Sequence, residues 1–178
     1  DRRVFCRQKD GIVELGVNYS GADQVSGTHS SRDTATRGGV ARPGFAIHPP
    51  YRGGAGATWM DFKLALPAGK PAVLTFFTAI RDQSPTEPAS DGTEHKVSVI
   101  GAEGKEKELF TRFSDSKKWE PARVNLEAYA GQHITLRLWT GPGPKNNTTC
   151  DQCFWGDPVI TIGDLPSLPT EAEWQTRE

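Results

Sequence analysis

Apolar and polar residues alternate in two stretches of the chain, residues 58–66 and 132–140. A repeat of two residues places successive side chains on opposite faces of a β-strand. Each stretch therefore predicts a strand with one apolar face, which packs in a core, and one mixed face. The mixed faces carry tryptophans and polar or charged side chains, namely Trp59, Asp61, Lys63, His133, Arg137 and Trp139.

Seven further stretches predict strands, near residues 12–15, 40–48, 72–81, 94–103, 108–113, 119–126 and 154–162. The third of these is almost uniformly apolar, as expected for a central strand that is covered on both faces. Segments rich in Gly, Pro, Asn and Ser separate the stretches and predict turns. Nine short strands without a long helix predict an all-β fold, an antiparallel two-sheet β-sandwich of the jelly-roll type.

Length and charge limit the other possibilities. The 178 residues suit one domain with its own core. A formal net charge of −1 gives no general attraction to nucleic acid. No apolar run approaches the roughly 20 residues that span a bilayer, so we expect no membrane insertion.

We expect residues 1–163 to form the sandwich. Residues 164–178 contain Pro166 and Pro169 and predict a linker or short helix toward a further module. The chain opens on charged residues without a signal pattern, which favours a mature or excised piece of a secreted protein.

Three cysteines, Cys6, Cys150 and Cys153, leave several pairings open. A zinc site usually needs a second Cys-x-x-Cys pair, and a thioredoxin-like motif should accompany a βαβ unit. The sequence has neither, so we expect one disulfide and one free thiol. Cys6 could reach either of the other two if the first and last strands are neighbours.

The second half of the chain carries a recognisable succession of motifs. Asp91-Gly92 precedes a strand, residues 136–138 form a Leu-x-Leu strand, and residues 151–157 run from an aspartate through Trp155 to Asp157. In this order they resemble the NPCBM family of carbohydrate-binding modules, which are attached to some glycoside hydrolases. More broadly, the pattern is similar to galactose-binding-domain-like jelly rolls.

The resemblance covers about residues 60–162. It departs from the family pattern at residues 125–127 and at the cysteine pair beside Phe154. It implies a jelly roll that binds an oligosaccharide or polysaccharide without catalysis, within a secreted multimodular protein. Galactose-binding-like domains often hold a structural calcium ion, for which Asp82 and Asp91 are the candidate ligands, with Asp151 and Asp157 as the other available acids. The alternative is that Asp91-Gly92 forms a turn and Asp157-Pro158 ends a bend.

Sugar binding requires flat aromatic rings and fixed polar groups. If the two mixed faces share a sheet, they form one surface with both. A second candidate is the loop rim around Tyr51 and Arg52, because loops on a rigid scaffold often bind ligands. We assign Trp119 and Trp155 to the structure, since each lies beside a strand boundary.

Two alternatives stay open. The domain could be a protein-interaction or spacer module, which needs no exposed aromatic groove. It could also be a small jelly-roll polysaccharide lyase, with His133 as base and Arg137 or Lys63 neutralising a uronate. No nucleophile elbow, His-Glu-x-x-His or phosphate-binding loop occurs in the sequence, so we expect a protein that is not an enzyme.

Overall fold

The computed structural model describes residues 1–163, which form two antiparallel six-stranded sheets packed as a sandwich. The twelve strands are β1 (Arg2–Gln8), β2 (Gly11–Val17), β3 (Gly21–Ala22), β4 (His29–Arg37), β5 (Val40–His48), β6 (Ala57–Ala65), β7 (Ala72–Ile80), β8 (Thr93–Ile100), β9 (Glu106–Ser114), β10 (Glu120–Asn125), β11 (His133–Pro142) and β12 (Cys153–Ile162). The all-β sandwich expected from the sequence is confirmed. The linker or helix predicted for residues 164–178 lies outside the described residues.

The two sheets divide the strands without regard to chain order. Sheet A has the order β2-β1-β6-β11-β8-β9, and sheet B has the order β10-β7-β12-β5-β4-β3. The two strands with the clearest alternation, β6 and β11, are neighbours at the centre of sheet A. A 3₁₀ turn at Glu127–Tyr129 precedes β11. Within residues 1–163 no helix has the length and apolar character that crossing a membrane requires.

The core lies between the sheets and includes Trp155, which is fully buried. Its ring centroid lies 5.1 Å from that of Phe76, and its Nε1 donates a hydrogen bond to Thr140 Oγ1 at 3.0 Å. Trp119 is also buried, in a second cluster with Phe77 and Phe154. The sequence predicted both tryptophans to be structural, and their burial agrees with that prediction.

The sequence analysis did not predict three of the strands: β1, β3 and β4. The inward side chains of β1 include Arg2, which is buried, and its outward side chains include Arg3 and Arg7. Arginine on both faces hides the alternation of apolar residues. Strand β4 is mostly polar and exposed, and β3 has two residues, so neither carries a periodic apolar signal.

The expected disulfide is wrong: Cys6, Cys150 and Cys153 are all free. Pairing of Cys6 with either late cysteine required neighbouring first and last strands, but β1 lies in sheet A and β12 in sheet B. Cys153 is buried, and its Sγ lies 3.6 Å from Thr140 Oγ1. Burial raises the pKa of this thiol to about 12, so it is protonated at neutral pH and a poor nucleophile.

Thiol accessibility tests this arrangement. The native protein should react quickly with one equivalent of a chromogenic disulfide reagent, at the half-buried Cys150. The buried Cys6 and Cys153 should react only when the protein is unfolded, because the thiolate is the reacting form and burial disfavours it. A Cys150→Ser variant should lose the fast phase. Fewer than three thiols in the denatured, unreduced protein would instead reveal a disulfide.

Candidate functional site

The two mixed faces lie side by side on the outer surface of sheet A. In the pairing of β11 with β6, Trp139 is opposite Trp59 and Arg137 is opposite Asp61. His133 lies six residues from Trp139 along β11, which corresponds to about 20 Å. The condition set by the sequence analysis, that both strands share a sheet, is therefore met.

Trp59 is not available as a stacking residue, and its placement in an exposed binding surface is wrong. Its side chain is 2% exposed. The ring of Phe5, from β1, stacks on it with a centroid distance of 5.6 Å, and the guanidinium groups of Arg7 and Arg137 lie 5.5 and 4.9 Å from its centroid. The covering side chains come mainly from the strand that the sequence analysis missed.

Arg137 is held by two carboxylates. Its Nε and Nη2 donate to the two Asp61 oxygens at 2.8 and 2.9 Å, and its Nη1 donates to Glu106 at 2.8 Å. Burial acts to lower the pKa of Arg137, but the hydrogen bonds and charge of Asp61, with Glu106, outweigh it and raise the pKa. A guanidinium neutralised in this way is poorly placed to bind a substrate uronate, as the lyase alternative requires.

Trp139 is half-buried and its ring lies against the backbone of Gly141. A Cβ at position 141 would come within 2.3 Å of this ring. The same relation occurs two strands away: the Phe113 ring lies over Gly92 and Gly143, where a Cβ would approach to 2.6 and 2.4 Å. Each ring therefore has one face on glycine backbone, which positions it without a covering side chain.

Phe113 was missed by the sequence analysis, although it follows Thr111 at strand spacing on the outer face of β9. It is 47% exposed. In the register of sheet A, Glu94 pairs with both Gly141 and Phe113, so the two aromatic rings flank this glutamate. Their strands are separated by β8, which places the two backbones about 10 Å apart.

Charged side chains of β8 and β9 lie between and beside the two rings. The Nζ of Lys96 is 5.2 Å from the Trp139 centroid and within 3.4 Å of carboxylate oxygens of Glu94 and Glu108. Burial would lower the pKa of Lys96, but the two glutamates outweigh it and raise the pKa. We call Trp139, Phe113, Glu94 and Lys96 the aromatic surface.

Lys63 and His133 lie toward the other end of the same strands. Both are exposed, and they line a shallow depression of about 360 Å³ together with Ile100 and Gly101. Their role in ligand binding stays a prediction. Arg137 and its two carboxylate partners lie between this depression and Trp139, so the two surfaces are separate.

The predicted loop rim contains another exposed ring. Tyr51 is 51% exposed, and its ring lies over Gly27, where a Cβ would approach it to 2.6 Å. The ring meets His48 edge-on at a centroid distance of 5.2 Å. Arg52 donates to the Gln24 carbonyl at 2.5 Å, which fixes the loop. The ligand-binding role of Tyr51 and Arg52 also stays a prediction.

The candidate calcium ligands are not gathered into one cluster. Asp82 is exposed and accepts a hydrogen bond from Arg37 at 2.8 Å. Asp91 lies near the buried Asp151, which accepts from Ser90 Oγ at 2.6 Å. Among residues 1–163 no three His, Cys, Asp or Glu side chains come together as metal ligands do. Calcium binding therefore stays a prediction without a cluster to support it.

Comparison with known sequences leaves the family open. No family model matches the chain. One curated relative, an uncharacterized protein of Archaeoglobus fulgidus, is 34% identical over 95 residues. The matched stretch is 50% of this chain and 24% of that protein, so the chain corresponds to only a part of its relative.

Comparison with solved structures supports the fold. The enzymatically active domain of tailspike protein 4 from bacteriophage CBA120 is similar over 90% of this chain and 19% of that one, with a TM-score of 0.50 and 8% identity. The carbohydrate-binding module TmCBM61, solved with β-1,4-galactotriose, matches 80% of this chain and 85% of its own, with a TM-score of 0.49 and 15% identity. The CBM22-1–GH10 modules of a Clostridium thermocellum xylanase, solved with xylohexaose, match 80% and 26% respectively, with a TM-score of 0.49 and 13% identity. At 8% identity the likeness to the tailspike domain concerns the fold alone.

Proposed function

We propose that this domain binds an oligosaccharide or polysaccharide, without catalysis, on the aromatic surface of sheet A. The observation that carries the proposal is the pair of glycine-backed rings, Trp139 and Phe113, with charged side chains between them. A pyranose has one face rich in C–H groups, which stacks on an aromatic ring, and a rim of hydroxyl groups. The surface offers a partner for each.

The charged residues supply the directional contacts. Lys96 can donate to sugar hydroxyls, and Glu94 and Glu108 can accept from them. Because the three side chains hold one another in place, a ligand pays little additional conformational entropy to order them. Sites for small ligands usually combine aromatic side chains with a small number of well-placed polar groups, as this surface does.

Replacing Trp139 tests the proposal directly. Affinity electrophoresis in gels that contain a β-glucan, a xylan, a β-galactan or a polyuronate should retard the native protein with one class of polysaccharide. Trp139→Ala should weaken that retardation by at least about tenfold in Kd, which is about 1.4 kcal/mol, because the stacking ring is gone. Phe113→Ala should weaken it as well.

Controls separate loss of the surface from loss of the fold. Arg123→Ala removes an exposed side chain on β10 of sheet B and should leave retardation unchanged. Near-ultraviolet circular dichroism should show that each variant is folded. Unchanged binding in folded Trp139→Ala and Phe113→Ala, with loss in Tyr51→Ala, would transfer the site to the loop rim. No retardation by any polysaccharide would favour the protein-interaction or spacer alternative.

Three finer points belong to the same proposal. We infer that the domain is a module of a larger protein, which fits a match confined to 24% of its relative. We place that protein outside the cytoplasm, where a structural or storage polysaccharide would be met. Loss of retardation when the gels are repeated with a chelator would indicate that binding depends on calcium. Release of reducing or unsaturated sugar from the polysaccharide would contradict a role without catalysis.

A further inference from the structure

Sheet B is interrupted beside its centre, and the interruption opens the space between the sheets. Strands β5 and β12 pair from Ile47 to Gly44 on one side and from Cys153 to Gly156 on the other, and the pairing ends there. Asp157 follows with a positive φ of 45°, and Pro158 has no N–H to donate. The register of β12 against β7 also shifts at this point.

The opening leads into an apolar cleft of about 800 Å³. Its walls come from both sheets: Phe62, Leu64 and Ile160 are half-buried, and Leu74 and Leu136 behind them are at most 4% exposed. This volume lies within the range of sites for drug-sized ligands, roughly 300–1,000 Å³. The cleft lies inside the sandwich and shares no residue with the aromatic surface.

Arg32 lines one end of the cleft, and Arg2 lies behind that end without lining it. The guanidinium of Arg32 is exposed at the rim and lies 5.9 Å from the Phe45 centroid. Arg2 is 6% exposed and lies 5.0 Å from the same ring; it donates to the Tyr19 carbonyl at 2.5 Å, and its Nη1 lies 3.7 Å from Met60 Sδ. No carboxylate of residues 1–163 forms an ion pair with either arginine.

Three arginines, Arg2, Arg32 and Arg42, lie at this end of the cleft against two aspartates, Asp33 and Asp157, so positive charge is in excess there. Burial, and then the charge of Arg32, lower the pKa of Arg2, so the two cations disfavour each other where they stand. Asp33 and Asp157 also line the rim. Asp157 is neutralised by Arg42 at 2.8 Å, whereas Asp33 keeps its charge and accepts a hydrogen bond from the Thr34 N–H at 2.8 Å. A buried cation without a carboxylate partner is costly, and an anion nearby lowers that cost.

From this arrangement we propose that the cleft binds an amphipathic anion, with its hydrocarbon part against Phe62, Leu64 and Ile160 and its acidic group beside Arg32. The chemical class is an alkyl or aryl carboxylate or sulfonate. Arg2 acts through its charge from behind the Phe45 ring, whereas Arg32 makes the direct contact. The site is independent of glycan binding on sheet A.

The test uses 1-anilinonaphthalene-8-sulfonate as a fluorescent probe of the full chain at neutral pH. One equivalent should bind, and decanoate should displace it at about one-tenth of the concentration needed for decanol. Arg32→Ala should abolish that preference. Thr34→Trp, at the exposed rim, should block the probe without disturbing the core, whereas Arg123→Ala and Trp139→Ala should leave probe binding unchanged.

Each outcome decides the proposal. Equal displacement by decanol, or an undiminished preference in Arg32→Ala, would overturn the assignment of an anionic group. Absence of probe binding by a protein that circular dichroism shows to be folded would overturn the site itself. Retardation by a polysaccharide should persist in Thr34→Trp, so failure of the cleft and failure of the aromatic surface give different results.

Discussion

Replacement of Gly44 by alanine should lower the free energy of unfolding by about 3 kcal/mol, the upper end of ordinary overpacking costs. A Cβ at position 44 would lie 1.9 Å from the carbonyl oxygen of Trp155. That oxygen belongs to the backbone of the neighbouring strand, so no side-chain rotation relieves the clash, and β5 and β12 must separate at their last pair. Urea denaturation measures the change.

Gly101→Ala is the matched control for this variant. Gly101 lies in the turn after β8, its φ is not in the left-handed region, and the nearest atom to an added Cβ is 3.6 Å away on the Glu103 side chain. The same methyl group there should change stability by less than about 0.5 kcal/mol, as at ordinary surface positions. Equal stability of the two variants would show that β5 and β12 do not approach as closely as described.

Replacement of Asp151 by asparagine should stabilise the protein above neutral pH. Burial is the main reason that the pKa of Asp151 rises from 3.8 to about 7, and the charge of Asp91 adds to it. The folded state therefore holds a proton that the unfolded state releases, so stability falls as pH rises from about 4 to 7. Three pKa units at 1.36 kcal/mol each give an upper bound of about 4 kcal/mol for the gain on removing the charge.

His95 provides the opposite dependence and serves as the control. It is fully buried, and burial, with the charge of Arg112, lowers its pKa from 6.5 to about 3. The unfolded state binds the extra proton, so stability falls as pH decreases from 6.5 toward 3. In the native protein the two slopes oppose each other between about pH 4 and 6.5.

Urea denaturation from pH 4 to 8 separates the two groups. The stability of Asp151→Asn relative to the native protein should increase with pH and level off above pH 7. His95→Gln should instead lose the acid-side decline and keep the decline toward neutral pH. A constant difference between Asp151→Asn and the native protein across this range would mean that Asp151 is ionised normally in the folded state.

The sequence predicted the strands with an apolar face better than those in which polar residues conceal the alternation. Strands β6 and β11 show regular alternation because one face of each is in the core, and β7 is almost uniformly apolar because both its faces are covered. Only Ser30 and Ala35 of β4 are buried, so burial imposes no apolar pattern on this strand. The alternation was sufficient to place Trp59 and Trp139 on one face.

Their different exposure could not be predicted from the strands that carry them. Trp59 is covered by Phe5 and Arg7 of β1. The sequence analysis did not predict this strand, because arginines on both of its faces conceal the apolar alternation. Trp139 has no such neighbour, because the next strand on its other side presents Lys96. The role of Phe113 depends on the glycines beneath its ring, which are distant in sequence and come together only in the folded sheet.

The glycines beneath the rings also bear on how such a surface can change during evolution. At Gly141 a single methyl group would meet the Trp139 ring at 2.3 Å and force it to tilt away from the strand. A ligand preference could thus shift through a substitution that a ligand never touches, while the aromatic residue itself is retained. Related domains with the same aromatic residues could therefore differ in the shape of saccharide they accept according to the residue at this one position.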